Sequence, residues 1–382
     1  MNRDMEICFF GMYKTEPGYP VNRFLLKGLR EAGCEVEECR EVLWEGFLHD
    51  GVGGWRWREL ARMGWRALRG YGSLVRKYGK VRSHQCVIVG YPGFFEILLG
   101  RLLNLFSGRL MVLVSFISLY DTIVSDRGVI PPGSWQAAAL KAIDKIAFRA
   151  ADLVLVDTQE QGRFYAHLFG LPEAKFQRSF VGHEFDEYEP SVESVNRESG
   201  SLRVLFYGTY VPLHGVDVII DAASQLLQEQ DIHFTLIGRG QLFESLEASA
   251  RELRNVELID RWLGPDELVE QIRSTDLCLG IFGRTAKAAR VIPYKVFGAI
   301  ALRKAVVTRD SPAIREFLQD EVSALLCTPD ASHLARSIAR LHGDRALLSR
   351  VANSAYRQYQ DRGTPAAVGR CLVPVLEHRL AS

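Results

Sequence analysis

Two kinds of hydrophobic pattern alternate along this chain. Short, nearly continuous apolar runs predict buried strands. Longer stretches in which apolar residues recur every three or four positions predict helices with one face on a core. MEICFFG, CEVEECR, QCVIVG, RLMVLVSF and ADLVLVDT read as strands, and VNRFLLKGLREAG, FFEILLGRLLNLFSG, WQAAALKAIDKIAFRAA and QEQGRFYAHLFG read as helices. DEYEPSVESVNRESGS, over residues 186–201, is acidic and polar and reads as an exposed linker. The alternation then resumes. SLRVLFYG, IHFTLIG, VELID, DLCLGIFG and KAVVT read as strands, with GVDVIIDAASQLLQEQ, QLFESLEASAREL, PDELVEQIRST and the segment after Pro293 as helices. A mostly helical run from Ala331 to His378 closes the chain, with a break expected near Gly363 and Pro365. Strand and helix in alternation give a parallel sheet covered on both faces. The expected fold is therefore α/β, with two facing Rossmann-like domains over residues 1–185 and 202–360. A C-terminal helix over 361–382 is expected to be able to cross back to the first domain.

The length of 382 residues supports two cores. A 47% hydrophobic and 24% charged composition is that of an ordinary globular protein, and a net charge of +1 gives no global pull toward nucleic acid or membrane. The seven cysteines are scattered; Cys34 and Cys39 alone are close, and C-x4-C without a second pair is a weak metal signal. They read as free thiols of a reducing compartment. Arg3, Asp4 and Glu6 precede the first apolar run, unlike a signal peptide, and Glu96, Arg101 and Arg109 interrupt the most apolar region. A cytoplasmic protein is expected, with peripheral attachment to the inner membrane face left open.

Ligands in such sheets bind beyond the carboxyl ends of the strands, where glycine lets backbone approach a phosphate. Four predicted strands end in a Gly turn: at Gly11, at Gly208 to Gly215, at Gly238 to Gly240 and at Gly283. None is a G-x-G-x-x-G. His214, Arg239, Arg284, Lys287, Arg290 and Lys295 gather near these turns. They read either as a solvated basic edge, which suits Lys287 best, or as a diphosphate cradle. In the cradle Arg290 and Lys295 flank a helix N-terminus whose N–H groups lie at Val291, Ile292 and Tyr294.

The ordered set VLFYGTYVPLHGVDVIIDAA, TLIGRGQ, NVELIDRWLGPDELVEQIRSTDLCLGIFG and VIPYKVFGAIALRKAVVTRDSPAIREF resembles glycosyltransferase family 4, the retaining, nucleotide-sugar-dependent enzymes of GT-B fold. ICFFGMY, VGYPG, FISLYDT and ADLVLVDTQEQ resemble a branch of the same family. The resemblance spans essentially the whole chain. It implies an acceptor domain followed by a donor domain, and a metal-independent transfer with a nucleoside-diphosphate sugar as co-substrate and no further cofactor. It further implies that Gly11, Met12 and Tyr13 face the diphosphate, with Gly208, Thr209, His214, Gly238 and Arg239 around the phosphates. Arg261 and Trp262 then lie near the base, unless Trp262 simply packs. Arg290, Lys295 and Asp121 are the candidate catalytic residues, with Asp121 alternatively capping a turn, and Arg284 is an auxiliary cation. Tyr91, Pro92, Ser118 and Tyr120 fall where acceptors bind. Two departures stand out. The family's two donor-site glutamates align with Arg290 and Gly298, so both carboxylates are missing. The Arg and Lys of the loop after Gly208 align with Thr209 and His214.

Residues 52–82 carry nine Arg and Lys against one acidic residue, Glu59, and three of the six tryptophans. Arg58, Arg62, Arg66 and Arg69 fall on one helix face. The segment reads either as a solvated face with Trp packed inward or as a dock for an anionic membrane, giving access to a lipid-linked glycan. Single-stranded nucleic acid is a remote third reading that no other feature supports, and none is expected as a partner. A nucleotide-sugar epimerase or phosphorylase on the same fold, and a catalytically weakened glycan- or partner-binding homologue, remain as alternatives to a glycosyltransferase acting in polysaccharide or glycoconjugate biosynthesis.

Overall fold

The computed structural model describes residues 5–15, 20–42, 57–183, 188 and 200–381, with the backbone alone for residues 20 and 57–64. The first domain is a six-stranded sheet in the order β2-β1-β3-β4-β5-β6. Its strands are β1 (Glu6–Met12), β2 (Glu35–Glu41), β3 (Cys86–Val89), β4 (Leu110–Val114), β5 (Leu153–Val156) and β6 (Phe176–Arg178). The helices α1 (Pro20–Glu31), α2 (Trp57–Tyr78), α3 (Glu96–Leu103), α4 (Trp135–Ala150) and α5 (Gln159–Phe169) connect them. Every strand pair is parallel. The strands β3, β4 and β5 are buried along their whole length, which is why they read as unbroken apolar runs rather than alternating ones.

The second sheet runs β12-β11-β10-β7-β8-β9, again all parallel. It is built from β7 (Leu202–Tyr207), β8 (Ile232–Ile237), β9 (Val256–Ile259), β10 (Leu277–Leu279), β11 (Ala305–Arg309) and β12 (Leu325–Cys327). The helices α6 (Val216–Gln225), α7 (Phe243–Arg251), α8 (Pro265–Arg273), α9 (Tyr294–Ala301), α10 (Ala331–Gly343) and α11 (Arg345–Arg362) pack on it, and α12 (Pro365–Ala381) ends the chain. Two strands escape the sequence pattern, β6 and β12. Each is an edge strand of three residues, too short to show a period. The closing helical run breaks at Asp344 as well as at Gly363. Asp344 starts α11 by accepting a hydrogen bond from the Leu347 N–H at 2.8 Å. The predicted linker lies outside the described residues except for Tyr188 and its last two positions; the Tyr188 hydroxyl donates to Asp266 at 2.6 Å. All seven cysteines are free thiols, six of them buried.

The last helix leaves the second domain and packs on the first. Leu372 and Leu376 of α12 are buried in one apolar cluster with Leu25, Leu26 and Leu29 of α1. The crossing is close because two glycines meet there. A Cβ on Gly369 would lie 2.0 Å from the Gly28 carbonyl oxygen, and one on Gly28 would lie 2.4 Å from that of Pro365. Both obstacles are backbone, so a side chain at either position forces the helices apart. Gly369→Ala is therefore expected to lower stability by about 1–3 kcal/mol in urea unfolding. An unchanged midpoint with an unchanged slope would show that the helices do not cross this closely.

Candidate active site

The carboxyl ends of the two sheets meet. On the second domain the loops after β7 and β8 lie in backbone contact. The Gly208 N–H donates to the Ile237 carbonyl at 2.9 Å and the Tyr210 N–H to that of Arg239 at 2.9 Å. A Cβ on Gly238 would sit 2.1 Å from the Gly208 carbonyl oxygen, and both glycines have positive φ, +130° and +142°. Only glycine permits this approach.

Beneath these loops lies Lys295, in the first turn of α9. The side chain is buried, its Nζ has no hydrogen-bond partner among the described residues, and it sits 3.7 Å from the centre of the Phe206 ring. A Cβ on Gly208 would meet Nζ at 2.8 Å and the His214 ring at 3.3 Å, so lysine and histidine converge under the Gly208 loop. No side chain caps α9, because Pro293 holds the N-cap position. Burial holds the Lys295 ammonium well below its usual pKa. Burial, and then the neighbouring Lys295 charge, push His214 well below its usual pKa too. His214 is thus a neutral ring whose Nδ1 bonds the Thr209 carbonyl, which places the proton there and leaves Nε2 as an acceptor.

Arg290 and Asp121 come together, but with each other, across the domain boundary. Arg290 Nη2 donates to Asp121 Oδ1 at 2.7 Å; the carboxylate is fully buried and the guanidinium side chain is 13% exposed. The guanidinium lies 3.5 Å from the Phe164 ring centre and its Nε donates to Gln161 at 3.3 Å. Thr158 donates to the Arg290 carbonyl. Asp121 does not cap its turn. That task falls to buried Asp144, which accepts from the Ser118 hydroxyl at 2.6 Å and the Leu119 and Tyr120 N–H groups at 3.0 and 2.9 Å. Burial pushes the Asp144 pKa up to about 6.

Lys287 is not on a solvated edge. It is buried and donates to Thr122 at 2.7 Å, with Asp121, Asp126 and Asp157 as its charged neighbours. Its aspartates are buried with it, and burial raises Asp157 to about 7. Thr285 donates to Asp126 at 3.0 Å in the same seam. Glu316 of the second domain accepts the Gln159 and Glu160 N–H groups at 2.9 and 3.0 Å, capping α5 of the first domain, and pairs with Arg178 at 3.1 Å.

The remaining candidates are spread out. Arg239 is exposed and pairs with Asp260 at 3.3 Å. Arg261 pairs with Glu267 on the surface, and Trp262 beside it is half exposed. Arg284 is exposed and donates to the Pro329 carbonyl at 3.3 Å. Gly11 lies within β1, next to buried Glu96. Tyr13 is turned into the core: its hydroxyl donates to Glu38 at 3.1 Å and its ring packs edge-on against Phe9 at 4.9 Å. It cannot face a diphosphate across the cleft, contrary to expectation. Val291 and Ile292 are buried just before α9. The Tyr294 ring stacks on His183 at 4.0 Å. The Tyr91 loop is pinned by Asn22, which accepts from the Tyr91 N–H at 2.7 Å and donates to its carbonyl at 2.9 Å. Among the described residues no three His, Cys, Asp or Glu converge as a metal site needs.

Gly298 now has a physical reason. A Cβ there would lie 2.7 Å from His183 Cδ2 and 2.7 Å from the Tyr207 hydroxyl. Tyr207 donates to the Lys295 carbonyl at 2.9 Å, so it is fixed. The space beside Gly298 is filled by the interdomain segment. His183, Glu316 and Asp144 were missed by sequence reasoning. Each acts across a long sequence separation, and no local pattern marks it.

Two outcomes are expected. Asp121→Ala leaves a buried guanidinium without its counter-charge and should cost about 3–5 kcal/mol in denaturant unfolding. The double variant Asp121→Leu with Arg290→Met should recover most of that; equal loss in single and double variants would mean that the pair is not formed. Gly298→Glu should destabilise the protein, and His183→Ala should relieve part of the loss. A Gly298→Glu variant as stable as the parent would show the space to be open.

Residues 201–344 match the family model described as Glycosyl transferases group 1. No curated protein sequence matches the chain. Among solved structures, sucrose-phosphate synthase from Thermosynechococcus elongatus is similar at a TM-score of 0.71 and 14% identity, over 99% of each chain. HepE from Anabaena, solved in complex with UDP-glucose, is similar at a TM-score of 0.65 and 14% identity, over 98% of this chain and 100% of its own. A UDP-forming α,α-trehalose-phosphate synthase from Burkholderia vietnamiensis is similar at 0.66 and 14%, over 99% and 98%. Residues 201–344 thus match the glycosyl transferases group 1 model, and the chain as a whole has the two-domain GT-B fold of these structures.

Proposed function

We propose that this chain is a retaining, metal-independent glycosyltransferase that moves a sugar from a nucleoside-diphosphate sugar to a glycan, in polysaccharide or glycoconjugate biosynthesis. The observation that carries this reading is Lys295, whose buried amino group has no hydrogen-bond partner among the described residues, beside the Gly208 loop and the uncapped start of α9. A diphosphate would supply the counter-charge, accepting from Nζ and from the first N–H groups of α9. Because Nζ is enclosed, donor entry requires the loop over residues 208–214 to lift. Uridine is the first base to test, since HepE was solved with UDP-glucose and the trehalose-phosphate synthase is UDP-forming.

In the transfer, the bond from the anomeric carbon to the diphosphate oxygen breaks, and the acceptor oxygen bonds to that carbon on the same face. The acceptor's proton passes to the departing diphosphate, whose developing charge Lys295 and the helix N–H groups stabilise. No metal and no cofactor beyond the donor enters this scheme. The acceptor is a glycan, carried on a lipid and reached by docking of the basic segment over 52–82 on an anionic membrane. No helix among the described residues is long and apolar enough to cross a membrane.

A second reading is a catalytically weakened homologue that binds glycans or partners. Two observations favour it: Arg290 is committed to Asp121, and the space beside Gly298 is filled by His183.

Calorimetry with UDP, GDP and ADP separates the two. One diphosphate should bind in the micromolar range, and Lys295→Ala should weaken it on the order of a hundredfold, the loss of a charge-assisted bond. The free protein holds Lys295 below its usual pKa and phosphate favours the charged form, so binding should take up a proton. The heat should then vary with the ionisation enthalpy of the buffer, and this variation should vanish in Lys295→Ala. Absence of binding to all three nucleotides would overturn the transferase reading and leave the binding-protein one.

A further inference from the structure

One apolar surface lies away from the interdomain seam. Phe95, Leu98 and Leu102 recur at helical spacing on the outer side of α3, and Leu105 and Phe106 continue the stripe into the following turn. Leu102 is 67% exposed and Phe106 97%. The opposite side of α3, with Ile97 and Gly100, is buried. The helix α2 lies alongside, tied by Tyr71, which donates to Glu96 at 3.2 Å, and by Tyr78, which donates to Asn104 at 2.6 Å. It exposes its own stripe of Trp65, Leu68 and Val75, with Trp65 58% exposed. Thus Trp65 is not packed inward, as one reading of the sequence had it; the side chains of the first turns of α2 lie outside the described residues.

Charge distinguishes this face. From Leu60 to Phe95 the chain carries seven Arg and Lys and no acidic residue. Arg66, Arg69, Arg76 and Lys80 are exposed, and Arg69 lies over Trp65 at 5.6 Å; Lys77 pairs with Glu41 at 2.7 Å. Glu96, at the start of α3, is buried, and burial raises its pKa. A large apolar patch rimmed by cations needs an occupant that is apolar inside and anionic at its surface. A second copy of this chain would set cation against cation.

We propose that α3 and the turn over residues 104–107 insert into the interfacial layer of an anionic bilayer, with the arginines of α2 on the headgroups. This rests on the membrane reading of the basic segment given above and deepens it, naming the inserted element and the lipid class. Basic residues supply the attraction to anionic headgroups and the exposed Leu and Phe side chains the apolar burial, the two contributions that hold an interfacial helix.

The test is sedimentation of the full chain with vesicles of phosphatidylcholine alone, or containing about 30% phosphatidylglycerol to supply a negative surface. Binding to the anionic vesicles, weakened by salt, is expected. Leu102→Ser with Phe106→Ser should reduce partitioning on the order of a hundredfold, since two large side chains lose their burial. The same preparation should keep its circular dichroism and its binding of UDP. A double variant that partitions like the parent would overturn insertion by α3 while leaving membrane docking by the basic segment intact. No binding of the parent to any vesicle would overturn both. Equal binding to neutral and anionic vesicles would overturn the anionic-lipid assignment. Binding of UDP, read separately, reports on the transferase reading alone.

Discussion

The desolvated pair of Asp121 and Arg290 is the constraint on which the arrangement of the two domains depends. A carboxylate with no exposure cannot stand alone in a medium of low dielectric, and its one charged bond comes from the opposite domain. Separating the domains would expose Arg290 harmlessly but leave the carboxylate of Asp121 to find water. The neighbours reinforce the same register. Lys287 reaches Thr122, Thr285 reaches Asp126, and Glu316 caps α5 from across the seam. A helix cap supplied by another domain is demanding, because the carboxylate must meet two N–H groups in line. Buried ion pairs add little net stability over an apolar seam but penalise every misalignment, which suits a joint whose purpose is geometry.

That joint has a consequence for the donor end. Arg290 cannot serve both the seam and a diphosphate, so the positive charge left for a phosphate beside the Gly208 loop is Lys295, with His214 neutral at its side. The nucleoside end is changed in a matching way. Where the resemblance implies a carboxylate, Gly298 makes room for His183, which is stacked on Tyr294 and belongs to the segment joining the domains. At both positions where the resemblance implies a donor-site carboxylate, the structure places a contact of the interdomain joint: Asp121 on Arg290 and His183 beside Gly298.

Much of the fold was legible in the sequence because parallel strands buried on both faces leave apolar runs that only a core explains. MEICFFG and ADLVLVDT needed no context. The short edge strands β6 and β12 had no run long enough to show a period. Their pairing is set by β5 and β11, which the local sequence does not encode. Site residues divided along the same line. Lys295 and the Gly208 and Gly238 loops sit at strand ends and helix starts, positions that periodicity can locate. The partner of Arg290, the neutrality of His214 and the inward turn of Tyr13 depend on residues far away in the chain. Lys287 failed for that reason: a lysine near a turn looks solvated until three aspartates from the other domain are placed around it.

Composition misleads most where the fold sorts charge. A net charge of +1 describes a chain with no electrostatic preference, yet the thirty-six residues from Leu60 to Phe95 hold seven cations and no anion. Folding sets α2 beside α3, with Glu96 turned into the core and Glu41 paired to Lys77. Leu98 and Leu102 are exposed on α3 at helical spacing, with Phe95 just before it and Phe106 just after it also exposed. A solvated helix face would gain from polar groups there and would tolerate an occasional acid. The absence of acids and the presence of large apolar side chains oppose solubility together, and a surface that departs from solubility in both respects fits an anionic, apolar environment better than it fits water.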